Sequence, residues 1–228
     1  MTGKGNLDQS FATLNARIVK CRRCPRLVEY RENVPFRKAF AAEKGWRHPV
    51  PGFGDPDAWL LILGLAPSIE GANRTGRIFT GDGSARFLIR LLHQAGFANQ
   101  PTSLTRDDGL QLRGCYITAS VKCVPPQHKP SKEEFFNCSS YLDNEFVLLR
   151  RLKAVLALGK FAFDAYQDRL IQHGVLEKRE SFAHGKTLKS SGVPTLYGAF
   201  HPTPQNTNTG KLTEEMFLSL LQQIRREN

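Results

Sequence analysis

No apolar run in this 228-residue chain approaches the roughly 18 residues needed to cross a bilayer, so no membrane span is expected. The first ten residues, Met1 to Ser10, are polar and lack the apolar segment of a secretory signal, which makes the cytoplasm the expected location. Acidic residues are few: 21 Asp plus Glu stand against 32 Lys plus Arg, a formal charge of +11. That excess favours polyanionic partners, of which nucleic acid is the most general. The chain has neither the Gly-x4-Gly-Lys-Ser/Thr spacing that cradles phosphates nor a Gly-x-Gly-x-x-Gly, so a nucleotide cofactor is not its obvious ligand. It contains no internal repeat, which sets aside stacked-repeat architectures.

What is present centres on one stretch, Gly64 to Asp82. Trp59-Leu60-Leu61-Ile62-Leu63 precedes it and is too short for a core helix, so it reads as a buried strand. Ser84 to Leu92 follows it with apolar residues at helical spacing. A Gly-rich loop between a strand's carboxyl end and a helix is where open α/β sheets place their ligand sites. Within the loop, Arg74 and Arg77 suggest an anionic neighbour and Phe79 offers a flat apolar face. Asp82 either caps the helix or presents a carboxylate to a ligand.

Taken in order, residues 6–20 read as a helix with Leu7, Phe11, Leu14 and Ile18 on one face. Residues 32–58 are rich in Pro and Gly and read as an irregular, basic segment. After a polar connection at 98–113, Cys115 to Val121 forms a second strand. Ser131-Lys132-Glu133-Glu134 opens a helix with a capping-type start. Ala154 to Gly159 is a third strand, followed by a helix near 160–170. Thr195 to Phe200 is a fourth strand, and a last helix places Phe217, Leu220, Leu221 and Ile224 on one face. Alternating strands and helices predict a three-layer α/β/α sandwich around a mainly parallel four-stranded sheet. Right-handed crossovers bring three segments to one edge: Gly64–Asp82, Lys122–Pro130 and His201–Gly210.

Cys21 and Cys24 form a Cys-x2-Cys pair, and Cys123 and Cys138 a Cys-x14-Cys pair. Four thiolates could hold zinc or an iron–sulfur cluster, or could be plain reduced thiols. The wide second pair favours a cluster. Cys115 falls inside a strand and reads as a small core residue.

Together these residues resemble an iron–sulfur uracil-DNA glycosylase of the type B (family 5) branch. The resemblance is carried by Cys21-x2-Cys24, Gly64-Leu65-Ala66-Pro67, Gly71-Ala72-Asn73-Arg74-Thr75-Gly76-Arg77-x-Phe79-Thr80-Gly81-Asp82, Lys122-Cys123-x-Pro125-Pro126, Cys138, and His201-Pro202-x-Pro204 with Asn206-Thr207-Asn208-Thr209-Gly210. It spans residues 21 to 210 in the family's order, and Leu65 in place of Glu supports type B. It implies one glycosylase-like domain over residues 1–228, with an N-terminal cluster-binding segment (about 1–58) packed on it, and a structural [4Fe–4S] cluster on Cys21, Cys24, Cys123 and Cys138. The substrate implied is DNA containing uracil or another deaminated base such as hypoxanthine, bound by a monomer.

By the same resemblance, Asp82 and His201 carry the catalysis, Asp82 near the sugar and His201 near a base oxygen. Ala66, Pro67, Phe79 and Gly81 hold the base. Arg74, Arg77, Pro204, Gln205, Asn206 and Asn208 contact DNA, with the Pro204–Asn208 stretch shaped as the wedge that holds a duplex open. Ala119 stands where the type A branch has an Asn that reads uracil, which shifts base recognition toward backbone groups. His128 and Gln205 likewise depart from the family's usual Asn and apolar wedge residue. Two other classes remain open: a cluster-bearing nucleic-acid-binding protein without catalysis, and an iron–sulfur or zinc redox protein.

Overall fold

The computed structural model describes residues 10–228, so Leu7 of the predicted first helix lies outside the described residues. Four five-residue strands form the centre of the sheet: β2 (Leu60–Gly64), β3 (Cys115–Ala119), β4 (Ala154–Leu158) and β6 (Thr195–Ala199). All four are parallel, paired in the order β3-β2-β4-β6. The expected mainly parallel arrangement is present, and two further two-residue strands extend it to six. β1 (Phe53–Gly54) pairs antiparallel with β3, and β5 (Thr187–Leu188) pairs antiparallel with β6. Such short strands carry no periodicity of their own, and only their partners define them.

Side chains along a strand alternate between faces. Leu60 and Ile62 enter a core shared with α4 (Gly83–Gln94) and α8 (Glu214–Glu227), whereas Leu61 and Leu63 enter one shared with α5 (Lys132–Leu148) and α6 (Lys160–Gln172). A strand buried on both faces reads as a continuous apolar run, which is why Leu60–Leu63 was legible. α1 (Phe11–Val19) packs on α5, and Leu14 and Ile18 meet Tyr141 there.

The helix starts follow local chemistry. Ser131 and Glu134 form a reciprocal capping box on α5, and Thr213 accepts the Met216 N–H at the start of α8. Among the helices not anticipated is α2 (Pro25–Asn33), begun by a proline at its first position where a missing N–H costs nothing. Its apolar face is only Leu27 and Val28, too little for a periodic signal.

β2 is followed by α4 on one face, and β4 by α6 on the other. The carboxyl ends of β2 and β4 therefore flank a topological switch point, where open α/β sheets bind ligands.

Candidate active site at the carboxyl edge of the sheet

The loop leaving β2 folds back on itself and contains the single helical turn α3 (Ala72–Thr75). Asp82 ends the loop as the N-cap of α4, with Oδ1 accepting the Ala85 N–H at 2.8 Å. Its other oxygen, Oδ2, accepts the Ser68 hydroxyl at 2.5 Å. The Ser68 oxygen in turn accepts the Gly71 N–H at 3.1 Å. A Cβ on Gly71 would lie 2.2 Å from Asp82 Oδ2 and 2.4 Å from Ser68 Oγ, so glycine is required for the pair to close. Asp82 is thus a helix cap and also a fixed carboxylate at the switch point. Ser68 was not singled out from the sequence, because a serine 14 residues before an aspartate gives no local signal.

Phe79 adopts φ +48°, in the left-handed region that disfavours bulky side chains, and is mostly buried. Its ring lies against Gly64, where a Cβ would approach to 3.3 Å, and stacks on the His201 ring at 5.9 Å and 28°. Such strain persists where the surroundings over-determine it, and it clusters at functional sites. Gly81 (φ +82°) and Ala66 are partly exposed, whereas Pro67 is buried.

His201 leaves β6 and comes within contact distance of the β4 end, where a Cβ on Gly159 would be 3.3 Å from its Cβ. Its Nδ1 is buried without a hydrogen-bond partner. Burial pushes its pKa down to about 4, although Asp82 pulls in the opposite direction, and His128 adds a smaller depression. The imidazole is therefore neutral at physiological pH. The three loops predicted to converge do meet here: Phe79 stacks on His201, and the Ser120 and Val121 N–H groups leading into the third donate to the Gly64 and Leu65 carbonyls.

The segment after His201, expected as the wedge, is a short helix, α7 (Pro204–Asn208). Thr203 caps it by accepting the Asn206 N–H at 3.2 Å. Pro204, Gln205 and Asn208 are exposed on it. Asn206 is not: its amide donates to the His201 carbonyl at 2.8 Å and so holds the histidine in place. A Cβ on Gly83 would come within 2.7 Å of Pro204 Cγ, so α7 rests on the start of α4.

The two loop arginines differ from expectation. Arg77 is buried, donating to both oxygens of Asp108 at 2.8 and 2.9 Å, to Ser103 Oγ, to Thr80 Oγ1 and to the Arg106 carbonyl. Arg74 donates to Glu43, to the Glu70 carbonyl and to the Gly81 carbonyl, and lies over the Phe40 ring. Both guanidinium groups are committed to the scaffold, so neither faces solvent as a phosphate contact would. Arg37, Lys38, Lys44 and Arg106 are exposed around the same loop and carry its accessible positive charge.

Behind the β2 loop, Cys21, Cys24, Cys123 and Cys138 line one small cavity with Arg31, Asn137 and Tyr141. All are free thiols, and burial pushes Cys138 up to about 11 and Cys123 to about 12. Arg31, 2% exposed, donates to Cys123 Sγ at 3.1 Å and to the Cys21 carbonyl, and Asn137 points its amide at Cys24 Sγ at 3.6 Å. Donors aimed at sulfur suit thiolates held by a cation. Among the described residues, no group of three or more His, Cys, Asp or Glu side chains is arranged to hold a single metal ion. Four sulfurs around a shared cavity fit a polynuclear cluster, in which each sulfur serves a different iron. Cys115 is apart from them, buried within β3.

Lys122 and Glu145 form a buried ion pair between this cavity and the sheet edge. The Lys122 ammonium also donates to Thr118 Oγ1 and to the Ala119 carbonyl, which fastens the end of β3. Lys122 was part of the recognised motif, but its partner 23 positions away was not foreseen.

The chain is thus a doubly wound α/β protein with a fixed carboxylate and a neutral histidine at its switch point. Residues 51–225 match the Uracil DNA glycosylase superfamily, and the chain belongs to that family. It is 46% identical over 210 residues to the type-5 uracil-DNA glycosylase of Thermus thermophilus, covering 92% of this chain and 94% of that protein. The type-5 enzyme of Pyrobaculum aerophilum is 43% identical over 205 residues, covering 90% and 88%. A type-4 uracil-DNA glycosylase of Sulfurisphaera tokodaii is 27% identical over 212 residues, covering 91% and 82%.

Proposed function

We propose that this chain is a type-5 uracil-DNA glycosylase, which hydrolyses the N-glycosidic bond of uracil in DNA and leaves an abasic site. The observation that carries this reading is the Asp82–Phe79–His201 constellation at the β2/β4 switch point, in a chain related over nine-tenths of its length to enzymes of that name. A base must leave the helix stack before it can be cleaved, at a cost of a few kcal/mol. Pro204, Gln205 and Asn208, exposed on α7, would fill the gap, and the exposed Arg37, Lys38, Lys44 and Arg106 would engage phosphates. The extruded base enters between Ala66, Phe79 and Gly81.

As the bond between the sugar C1′ and the base breaks, its electron pair goes to the base nitrogen. Positive charge grows on the sugar and negative charge on the base. The Asp82 carboxylate stabilises the first and orients the water that adds to C1′, and the proton this water loses ends on the expelled base anion. His201 stabilises the second by donating from Nε2 to a base oxygen. Because it is neutral, this donor can act without first losing or gaining a proton. In this reading the Nε2 tautomer acts, because Nδ1 is buried without a partner and cannot reach a base.

Cys21, Cys24, Cys123 and Cys138 would hold a [4Fe–4S] cluster, with Arg31 and Asn137 supporting the sulfurs. When bound, it supplies a covalent crosslink between the start of α2, the end of β3 and α5. Ala66 packs against the same apolar patch as Cys24, Cys123 and Cys138, which couples this crosslink to the base-binding loop. The described part of the N-terminal segment, from residue 10 to about 58, would then be one unit with the sheet, in a monomeric cytoplasmic repair enzyme that also accepts other deaminated bases. Among the described residues no helix is long and apolar enough to cross a membrane.

Incubation with a uracil-containing oligonucleotide, followed by alkaline cleavage, tests the activity. Strand scission at the uracil is expected. Tight binding without scission would indicate a non-catalytic DNA-binding protein instead.

A further inference from the structure

The connection from α4 to β3 does more than link them. α4 begins at the catalytic edge with its Asp82 cap, and β3 begins at the opposite edge, so a short turn at the far side would suffice. Residues 98–113 instead make a hairpin-like excursion. Ala98 bridges Leu112, Asn99 N–H donates to the Gln111 carbonyl at 3.1 Å, and Arg113 N–H to the Phe97 carbonyl at 2.9 Å. The tip climbs back to the site: the Gly81 N–H donates to the Ser103 carbonyl at 2.9 Å, and the Ser103 hydroxyl to the Phe79 carbonyl at 2.9 Å.

The tip is held rigidly. Asp108 accepts the N–H groups of Leu104 (2.7 Å), Thr105 (3.3 Å) and Leu110 (3.1 Å), as well as the buried guanidinium of Arg77. On this fixed backbone Leu104 is 64% exposed, although Leu110 and Leu112 of the same excursion are buried. Isolated exposed apolar residues are ordinary. This one sits one residue from Ser103, next to the Gly81-Asp82 turn, on backbone tied to the Asp108 carboxylate. Arg106 is exposed two residues further on, with its guanidinium 4.6 Å above the Trp46 ring.

We infer that residues 102–108 form a second DNA-gripping finger, in which Leu104 contacts the groove of duplex DNA beside the extruded nucleotide and Arg106 meets the adjoining phosphate. This rests on the proposed glycosylase reading and adds to it a second element at the Gly81–Gly83 turn, which Leu104 approaches at Gly81 and α7 at Gly83. The wedge on α7 presents the polar Gln205. Leu104 supplies the apolar contact that a partly unstacked base step favours. Duplex DNA is the occupant because only a duplex must be held open. A single strand offers no groove for the side chain to enter.

The test compares Leu104→Gln, which removes the apolar character at similar size, with Leu104→Met, which keeps it. Each is titrated with a duplex that carries a hydrolysis-resistant uridine analogue next to 2-aminopurine, and with the same strand unpaired. The expected result is that Leu104→Gln binds the duplex about tenfold more weakly, the scale of one lost apolar contact, with a smaller rise in 2-aminopurine fluorescence. Its loss on the single strand is at least fivefold smaller than that on the duplex, and Leu104→Met tracks the wild type. Leu104→Gln binding both forms as the wild type does, or losing affinity equally for both, overturns the finger. So does a lowered melting temperature that accounts for the loss. If the wild type binds the duplex but never cleaves a normal uracil substrate, the proposed activity fails while the Leu104 contrast still decides this inference.

Discussion

Ser68 donates its hydroxyl hydrogen to Oδ2 of Asp82 at 2.5 Å, while Oδ1 of the same carboxylate takes the Ala85 N–H. The carboxylate is therefore fixed at both oxygens before any substrate arrives. Asp82→Asn keeps the cap, because Asn caps a helix about as well as Asp, but removes the charge. Single-turnover excision should fall about 10²-fold or more, with little change in melting temperature or in affinity for uracil-containing DNA. Ser68→Ala should lower the rate about tenfold, the scale of one hydrogen bond to a charged group, and should add little in the Asp82→Asn background. A rate for Asp82→Asn within about threefold of wild type would leave Asp82 as a cap alone.

For His201 the pH dependence has a definite sign. Burial holds its folded pKa at about 4, below the ordinary value of 6.5. Between those values the unfolded chain binds more protons than the native one, so acidification through that window destabilises the fold. The stability is fully present above pH 6.5 and declines toward pH 4. His201→Gln should flatten this part of a melting-temperature profile. The excision rate should show no step near pH 6.5, because the neutral donor persists there. A wild-type rate that halves near pH 6.5, and does so only while His201 is present, would contradict a neutral donor.

Anaerobically purified protein should be brown and carry about four irons per chain. Cys115→Ser should keep the colour, since this thiol is buried in β3 away from the cavity. Cys123→Ser should lose it, together with much of the fold around α2 and α5. Colourless protein with stoichiometric zinc would replace the cluster with a single ion.

Arg77 and Lys44 should separate scaffold from DNA binding. Removing Arg77 leaves Asp108 nearly buried without its cation, so Arg77→Met should destabilise the fold by about 3 kcal/mol or more. The Asp108 carboxyl tends upward through burial, but the Arg77 guanidinium and the Leu110 and Leu104 N–H groups hold it below the usual range. Its contribution is present above that range and is lost as pH falls through the lowered value. Lys44→Ala should leave melting unchanged, because the residue is exposed. It should instead reduce the slope of log affinity against log salt by about one if Lys44 meets a phosphate. An unchanged salt slope would remove Lys44 from the DNA path.

The sequence by itself determined the parts whose physics is local. Leu60–Leu63, Cys115–Ala119, Ala154–Leu158 and Thr195–Ala199 declared themselves because a strand covered on both faces is mostly apolar. Asp82, Ser131 and Thr213 declared helix starts, because a cap acts on N–H groups only two or three residues away. The handedness of crossovers then brought the three loops to one edge, and the motif residues indicated the family. Only the tertiary structure decided which charges meet. Arg77 finds Asp108 31 positions along, and Lys122 finds Glu145 at 23. Neither distance leaves a periodic trace, so two basic residues in a loop looked like DNA contacts while one of them was closing the core. The same applies to the two-residue edge strands, to the sparse apolar face of α2 and to the Ser68–Asp82 bond. Each depends on a partner brought near by the folded chain, and no window of neighbouring residues contains that partner.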